Sequence, residues 1–200
     1  MNNKSTIRVI GGLLKGHSIL MSKTQTTRSS KAILKESLFN TLNHDLSSHH
    51  FIEVFAGTGS IAIEALSRGA QSAICIEKNK QAFEILKQNA QNIKEKFPYF
   101  NMDIFFGDSF ILLPQIVKNL IEKKLILFFD PPFPIRKNFQ KIYEECFLLL
   151  KKIQTNQELI IIFEHFSDYK MPQMIEDFSI IKSKKFGKSS LSYYTNTIKE

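Results

Sequence analysis

Between Leu125 and Phe133 the chain reads LILFFDPPF: an apolar run, then Asp130, then Pro131, Pro132 and Phe133. A carboxylate at the tip of a buried strand, beside a rigid backbone carbonyl and an aromatic ring, suits one chemistry well. The exocyclic amine of a nucleobase is a poor nucleophile because its lone pair is delocalised into the ring. If Asp130 accepts one of its N–H groups and the Pro131 carbonyl the other, the nitrogen becomes more pyramidal and its lone pair can be aimed. The prolines fix φ and stiffen this acceptor geometry. Phe133 offers a face for the base to stack on, worth ~1–3 kcal/mol by analogy with single-strand binders, once the base has left its helix or loop. Holding nucleophile and electrophile in line can supply up to ~7–11 kcal/mol without a covalent intermediate. No catalytic cysteine is then required, and Cys75 sits inside an apolar run. The plainer alternative is an Asp-Pro turn that ends a strand.

A second constellation precedes it, EVFAGTGSIAIEALSRGA from Glu53 to Ala70. A strand leads into Phe55, Ala56, Gly57, Thr58 and Gly59, and a helix follows. Gly57 and Gly59 allow close backbone approach to a ligand, and Ala62 takes a third small position. Glu77, at the end of the next strand, would accept from both ribose hydroxyls of a nucleotide-type cofactor; a surface pairing with Lys78 or Lys80 is the alternative. Asp108 and Ser109 follow the third strand, where Asp108 would accept from an adenine amine or cap a helix. Glu53 separates two cofactors. Beside the glycine loop it would repel a pyrophosphate, but it suits the ammonium and sulfonium of S-adenosyl-L-methionine; a helix-capping carboxylate is its alternative. A nicotinamide oxidoreductase would share the loop and Glu77, yet it gives Asp130 no role.

These residues need a scaffold that gathers strand ends. The pattern predicts strands at Phe51–Phe55, Ala73–Ile76, Met102–Phe106, Leu125–Phe129 and Leu159–Phe163. It predicts helices at Ser60–Ser67, Lys80–Lys94, Phe110–Leu120 and Asn138–Lys151. Apolar strands alternating with helices indicate an α/β, doubly wound, mostly parallel sheet, with ligands bound outside the carboxyl ends of its strands. A tail hairpin over Phe178–Ile198, turning near Gly187, brings the sheet to seven strands. Ahead of this Rossmann-like domain (46–200), residues 1–45 read as an extension. It holds a hairpin (Ile7–Ile10, His17–Met21), a flexible SKTQTTRSSK linker and a helix over Ala32–Leu42.

The 200-residue chain carries a net charge of +8, which favours an anionic partner, nucleic acid first. Arg8, Lys15, Lys23, Arg28, Lys31 and Lys35 crowd the N-terminal forty residues against Glu36, and Lys182, Lys184, Lys185 and Lys188 mark the tail. If these segments flank the active-site mouth they form a basic rim for RNA, with Arg8, Lys15, Lys31, Lys35, Lys185 and Lys188 as contacts. A solvated lysine surface is the alternative. Cys75 and Cys146 show no metal or disulfide spacing, and the histidines show no ligand spacing. No apolar run has the ~18–20 residues of a membrane span. A cytoplasmic, monomeric protein without metal is expected.

With FAGTG, DPPF and the doubly wound pattern in view, the chain resembles class I, S-adenosylmethionine-dependent amino-methyltransferases. It resembles most closely the RsmD family of bacterial enzymes that methylate N2 of a guanine in 16S rRNA of the small ribosomal subunit. IRVIGGLLKG is similar to that family's N-terminal hairpin, TRSSKAILKESLFNTL to its linker and helix, and KFGKSSLSYY to its last hairpin. The resemblance implies a flipped guanine in 16S rRNA as substrate, within an assembled or assembling 30S particle. It also gives Arg28 a role at the cofactor carboxylate or an RNA phosphate. Arg28-Ser29-Ser30 stands where the family has Arg-Pro-Thr, Ala32-Ile33 where it has an Asp-Arg pair, and Glu53 where aspartate is common. Local chemistry alone leaves adenine-N6 of DNA, a glutamine amide and a non-catalytic RNA-binding protein open.

Overall fold

The computed structural model describes residues 5–21, 28–42, 46–120, 124–132, 141–153 and 158–196, without the side chains of 28–31. Two short antiparallel strands, β1 (Thr6–Arg8) and β2 (Ser18–Leu20), form the N-terminal hairpin, and α1 (Arg28–Thr41) follows. The main unit runs β3 (His49–Glu53), α2 (Ser60–Ser67), β4 (Ser72–Glu77), α3 (Lys80–Lys96), β5 (Met102–Phe106), α4 (Ser109–Lys118), β6 (Lys124–Phe129), α5 (Ile142–Lys151) and β7 (Leu159–Phe166). It closes with β8 (Met174–Ile175), β9 (Phe178–Phe186) and β10 (Ser189–Asn196). The sheet order is β5-β4-β3-β6-β7-β10-β9-β8. The five strands from β5 to β7 pair in parallel, and β10 enters antiparallel between β7 and β9.

The α/β, doubly wound reading holds. The sheet has eight strands rather than seven, because Met174–Ile175 adds a two-residue edge too short to register as a period-2 pattern. The helix expected from Ala32 begins at Arg28, so Arg28–Lys31 of the expected linker are helical. Polar residues in a first helical turn leave no apolar stripe to read. Strand β7 runs three residues beyond Phe163. The expected helix start at Asn138 and the tail beyond Asn196 lie outside the described residues.

Alternation along the strands divides the core. Ile52, Leu127 and Phe163 face α4 and α5, against Leu113, Val117, Tyr143 and Cys146. Phe51, Phe128 and Ile162 face the other way, against Leu34, Leu38 and Phe39 of α1 and Ala65 of α2. Burying both faces is why these strands read as continuous apolar runs. Strand parity therefore puts Glu53, Asp130 and Glu164, two residues beyond Phe51, Phe128 and Ile162, on the face covered by α1 and α2.

The hairpin is fastened to that face. Val9, Leu14 and Ile19 pack on Ile63 of α2 and Ile93 of α3. Gly12 has φ 73, and a Cβ there would lie 1.9 Å from the Ser67 carbonyl oxygen, so this turn demands glycine. Glu64, fully buried on α2, accepts from the Ile10 and Gly11 amides at 3.0 and 2.8 Å and pairs with Lys35 and Arg68 at 2.9 Å each. On α3 the buried Asn89 amide accepts from Leu20 N–H and donates to the Leu20 and Thr58 carbonyls at 2.9–3.0 Å.

Candidate active site

A cleft of about 490 Å³, the solvent at its mouth included, lies at the carboxyl ends of β3, β6 and β7. Glu53, Phe55, Gly57, Asp130 and Glu164 line it. Ile7 of the hairpin and Leu34 and Lys35 of α1 line it too, so the N-terminal extension forms part of the cleft.

The glycine loop is held by its neighbours. Gly57 and Gly59 have φ 54 and 78, and a Cβ on Gly59 would lie 2.5 Å from Leu86 Cδ1. The Gly57 amide donates to Glu77 Oε2 at 2.7 Å, and the Asn79 amide donates to Oε1 at 2.6 Å. Glu77 thus ends β4 with its carboxylate against the loop. Glu53, 4% exposed, accepts from the Ala62 amide at 2.9 Å and caps the first turn of α2 at a distance. Thr58 reaches back to the hairpin, its hydroxyl 3.2 Å from Met21 Sδ. Asp108 caps α4, accepting from the Phe110 amide at 2.9 Å, and its other oxygen lies 3.3 Å from Lys78 Nζ. The Ser109 hydroxyl donates to the Val54 carbonyl, tying α4 to the end of β3. Phe55 packs its ring on Phe110 and Phe129, and Ala56 is buried.

At the second corner Asp130 is half-buried, Pro131 buried and Pro132 half-buried; Phe133 lies outside the described residues. Sequence reading missed Glu164. It is 5% exposed and lines the same cleft one strand away. A signal was available, because LIIIFE (Leu159–Glu164) repeats the form of LILFFD (Leu125–Asp130). Burial is the main cause that pushes Tyr143 up to about 12; the Phe166 amide it accepts opposes this, and the charges of Asp130 and Glu164 add to the rise. Burial, then the Glu53 charge, raises the Cys75 thiol, and burial raises Cys146, so neither thiol is a ready nucleophile.

The basic residues divide. Arg8, Lys15 and Lys188 are exposed. Lys185 is exposed with Asp168 at 3.9 Å. Lys184 reaches the hydroxyls of Ser37 and Thr41 on α1 at 3.3 and 3.2 Å. The side chains of Arg28 and Lys31 lie outside the described residues. Lys35 is a correction. It was expected on the RNA-facing rim, but it is 1% exposed and bound to Glu64, with the Arg8 carbonyl at 3.3 Å. A buried ammonium held by a buried carboxylate cannot meet a phosphate without breaking a costly pair.

Charge sets the cleft apart from the chain. Among the described residues that line it are three carboxylates, Glu53, Asp130 and Glu164, and one ammonium, Lys35, which is paired with Glu64. A phosphate would meet repulsion here, while a cation or an amine would be stabilised.

Residues 7–195 match the family model described as Conserved hypothetical protein 95. The chain is 28% identical, over 98% of its length and 96% of the relative's, to Ribosomal RNA small subunit methyltransferase D of Haemophilus influenzae. It is 29% identical, over 96% of its length and 93% of the relative's, to the protein of that name from Buchnera aphidicola subsp. Baizongia pistaciae. The solved structure of HI0767 from Haemophilus influenzae superposes with a TM-score of 0.72 at 26% identity, covering 96% of this chain and 99% of that one. The fold, with its central parallel strands and one inserted antiparallel strand, is that of class I methyltransferases. With nearly its whole length matched, the chain belongs to the Conserved hypothetical protein 95 family, the RsmD family of methyltransferases.

Proposed function

We propose that the protein transfers the methyl group of S-adenosyl-L-methionine to the exocyclic N2 amine of a flipped guanine in 16S rRNA. The observation that carries this reading is that Asp130 and the Glu53–Gly57 segment line one anionic cleft. Acidic lining among the described residues suits a cofactor with sulfonium and ammonium charges, and it disfavours a pyrophosphate. A dinucleotide reading is correspondingly weaker.

S-adenosylmethionine, when bound, supplies an electrophilic methyl carbon on a positively charged sulfur. The chain's own residues do the rest. Gly57 and Gly59 present backbone without side chains to the cofactor. Each carboxylate oxygen has two lone pairs, so Glu77 can accept from ribose hydroxyls while it keeps the Gly57 and Asn79 amides. Asp108, with Lys78 beside it, would accept from the adenine amine, and Glu53 would add negative potential near the cationic end. Asp130 and the Pro131 carbonyl accept the two amine hydrogens. As the new C–N bond formed, the methyl–sulfur bond would break with its electron pair going to sulfur, leaving S-adenosylhomocysteine, and the nitrogen would shed one proton to Asp130. Positioning of this kind supplies the larger part of the rate.

Exposed Arg8, Lys15, Lys185 and Lys188 are the RNA contacts in this reading, with a small-subunit particle as the natural partner of a cytoplasmic monomer. Among the described residues no helix is long and apolar enough to cross a membrane. The test is incubation of small-subunit particles from a strain lacking the enzyme with purified protein and methyl-labelled cofactor, followed by mapping of the label. Label on N2 of one guanine is expected. Label on another atom or base, or none with active cofactor binding, contradicts the reading.

A further inference from the structure

We propose that Glu164 selects the base, by accepting the ring N1–H of guanine beside the amine that Asp130 holds. The inference rests on the guanine reading above and goes beyond it by assigning the choice of base to a residue. Leu125–Asp130 and Leu159–Glu164, LILFFD and LIIIFE, lie side by side in parallel register, Leu125 opposite Leu159 through to Phe129 opposite Phe163. The residue that follows Phe129, just past the end of β6, and the residue that follows Phe163 within β7 are both carboxylates. Adjacent strands stand ~4.8 Å apart, and residues in register share a face. Asp130 and Glu164 are therefore neighbours on the α1-covered face, and both line the cleft.

Guanine presents two kinds of donor next to each other on one edge, the N1–H and the N2 amine. A pair of adjacent carboxylates is the acceptor array that matches it. Adenine presents an N1 lone pair at the same place, and a carboxylate facing that lone pair is repelled. The other cleft carboxylate cannot do this work. Glu53 lies one row deeper, opposite Phe128, and so is not beside the amine that Asp130 holds. Lys35 is held at 2.9 Å by Glu64, so Lys35 does not supply a counter-charge to substrate recognition.

The decisive probe is 2-aminopurine, which keeps the reactive C2 amine but has an acceptor at N1. Small-subunit particles are assembled with guanine or 2-aminopurine at the mapped position, and methyl transfer is measured for wild type, Glu164→Gln and Glu164→Ala. Cofactor affinity is measured alongside. A site built to donate or accept one hydrogen bond rejects a substrate lacking it strongly, so wild type should prefer guanine by about 100-fold or more in kcat/KM. In Glu164→Gln the amide can turn its NH2 toward N1, and the preference should fall to about tenfold or less, with cofactor affinity within about twofold of wild type. Glu164→Ala should lower the guanine rate and narrow the preference as well. A preference unchanged in both variants, or a wild type that methylates both bases equally, overturns the role of Glu164 and leaves the guanine reading intact. A wild type that leaves guanine N2 unmethylated overturns both.

Discussion

Two groups of charged side chains lie close together at the carboxyl end of the sheet and behave in opposite ways. Glu64, Lys35 and Arg68 form a closed set: the carboxylate is fully buried, both cations are within 2.9 Å, and two backbone amides complete its shell. Glu53, Asp130 and Glu164 instead line a cleft open to solvent. The first set joins α1 and the hairpin to α2 and has no capacity left for a ligand. The second has a net negative charge in a chain whose net charge is +8. What separates the two sets here is not residue type but place: the first is sealed between α1, α2 and the hairpin, and the second lines the cleft.

Variants can break this contrast. The largest expected effect is on chemistry: Asp130→Ala should bind cofactor nearly normally and lose methyl transfer by about 10³-fold or more, since both amine positioning and proton acceptance go. Comparable turnover in that variant would remove Asp130 from the mechanism. Next is stability. Glu64→Ala leaves the Lys35 ammonium and the Ile10 and Gly11 amides buried without their acceptor, so unfolding free energy should drop by about 3–5 kcal/mol in denaturant titration. Loss of under 1 kcal/mol would mean that the set relaxes to water. Third, Glu77→Ala should weaken cofactor binding about 10–100-fold by calorimetry, because it removes a charged acceptor from both the loop amide and the ribose. Unchanged affinity would show that the ribose is held elsewhere.

Fourth, the lysines should sort by burial. Lys185→Ala with Lys188→Ala should flatten the log–log salt dependence of RNA binding by about 0.7–0.9 for each contact and leave the melting temperature within error. Lys35→Met should do the reverse, with lower stability and an unchanged slope. The smallest effect is on pH. Burial lowers the pKa of His165, whose ring nitrogens meet Ser192 Oγ and the Phe166 carbonyl. The unfolded chain then binds the proton first, so this contribution is full above about pH 6.5 and is lost as pH falls toward the lower folded value. His165→Gln should show a shallower drop in melting temperature between pH 7 and pH 5.

Sequence carried the scaffold because apolar runs and helical spacing are local. Met102–Phe106 and Ser60–Ser67 are found where those patterns put them. It carried the glycine loop and Asp130 because small residues and a strand-ending acid announce themselves in a few positions. It failed where the deciding partner is distant in the chain. Lys35 reads as a surface cation until Glu64, on another helix, closes over it. Glu164 reads as the end of an ordinary strand until parallel register sets it beside Asp130. Arg28 and Ser29 read as linker because RSSK, the first turn of α1, holds no apolar residue that could show a helical spacing.

The most direct test of the central claim, that the tip of β6 aims an amine at the cofactor's methyl carbon, is a crystal structure with S-adenosylhomocysteine bound. The account predicts the sulfur in the cleft between the Gly57 loop and Asp130, with the ribose hydroxyls on Glu77. A sulfur turned away from Asp130, or a cofactor seated outside the cleft, would contradict it.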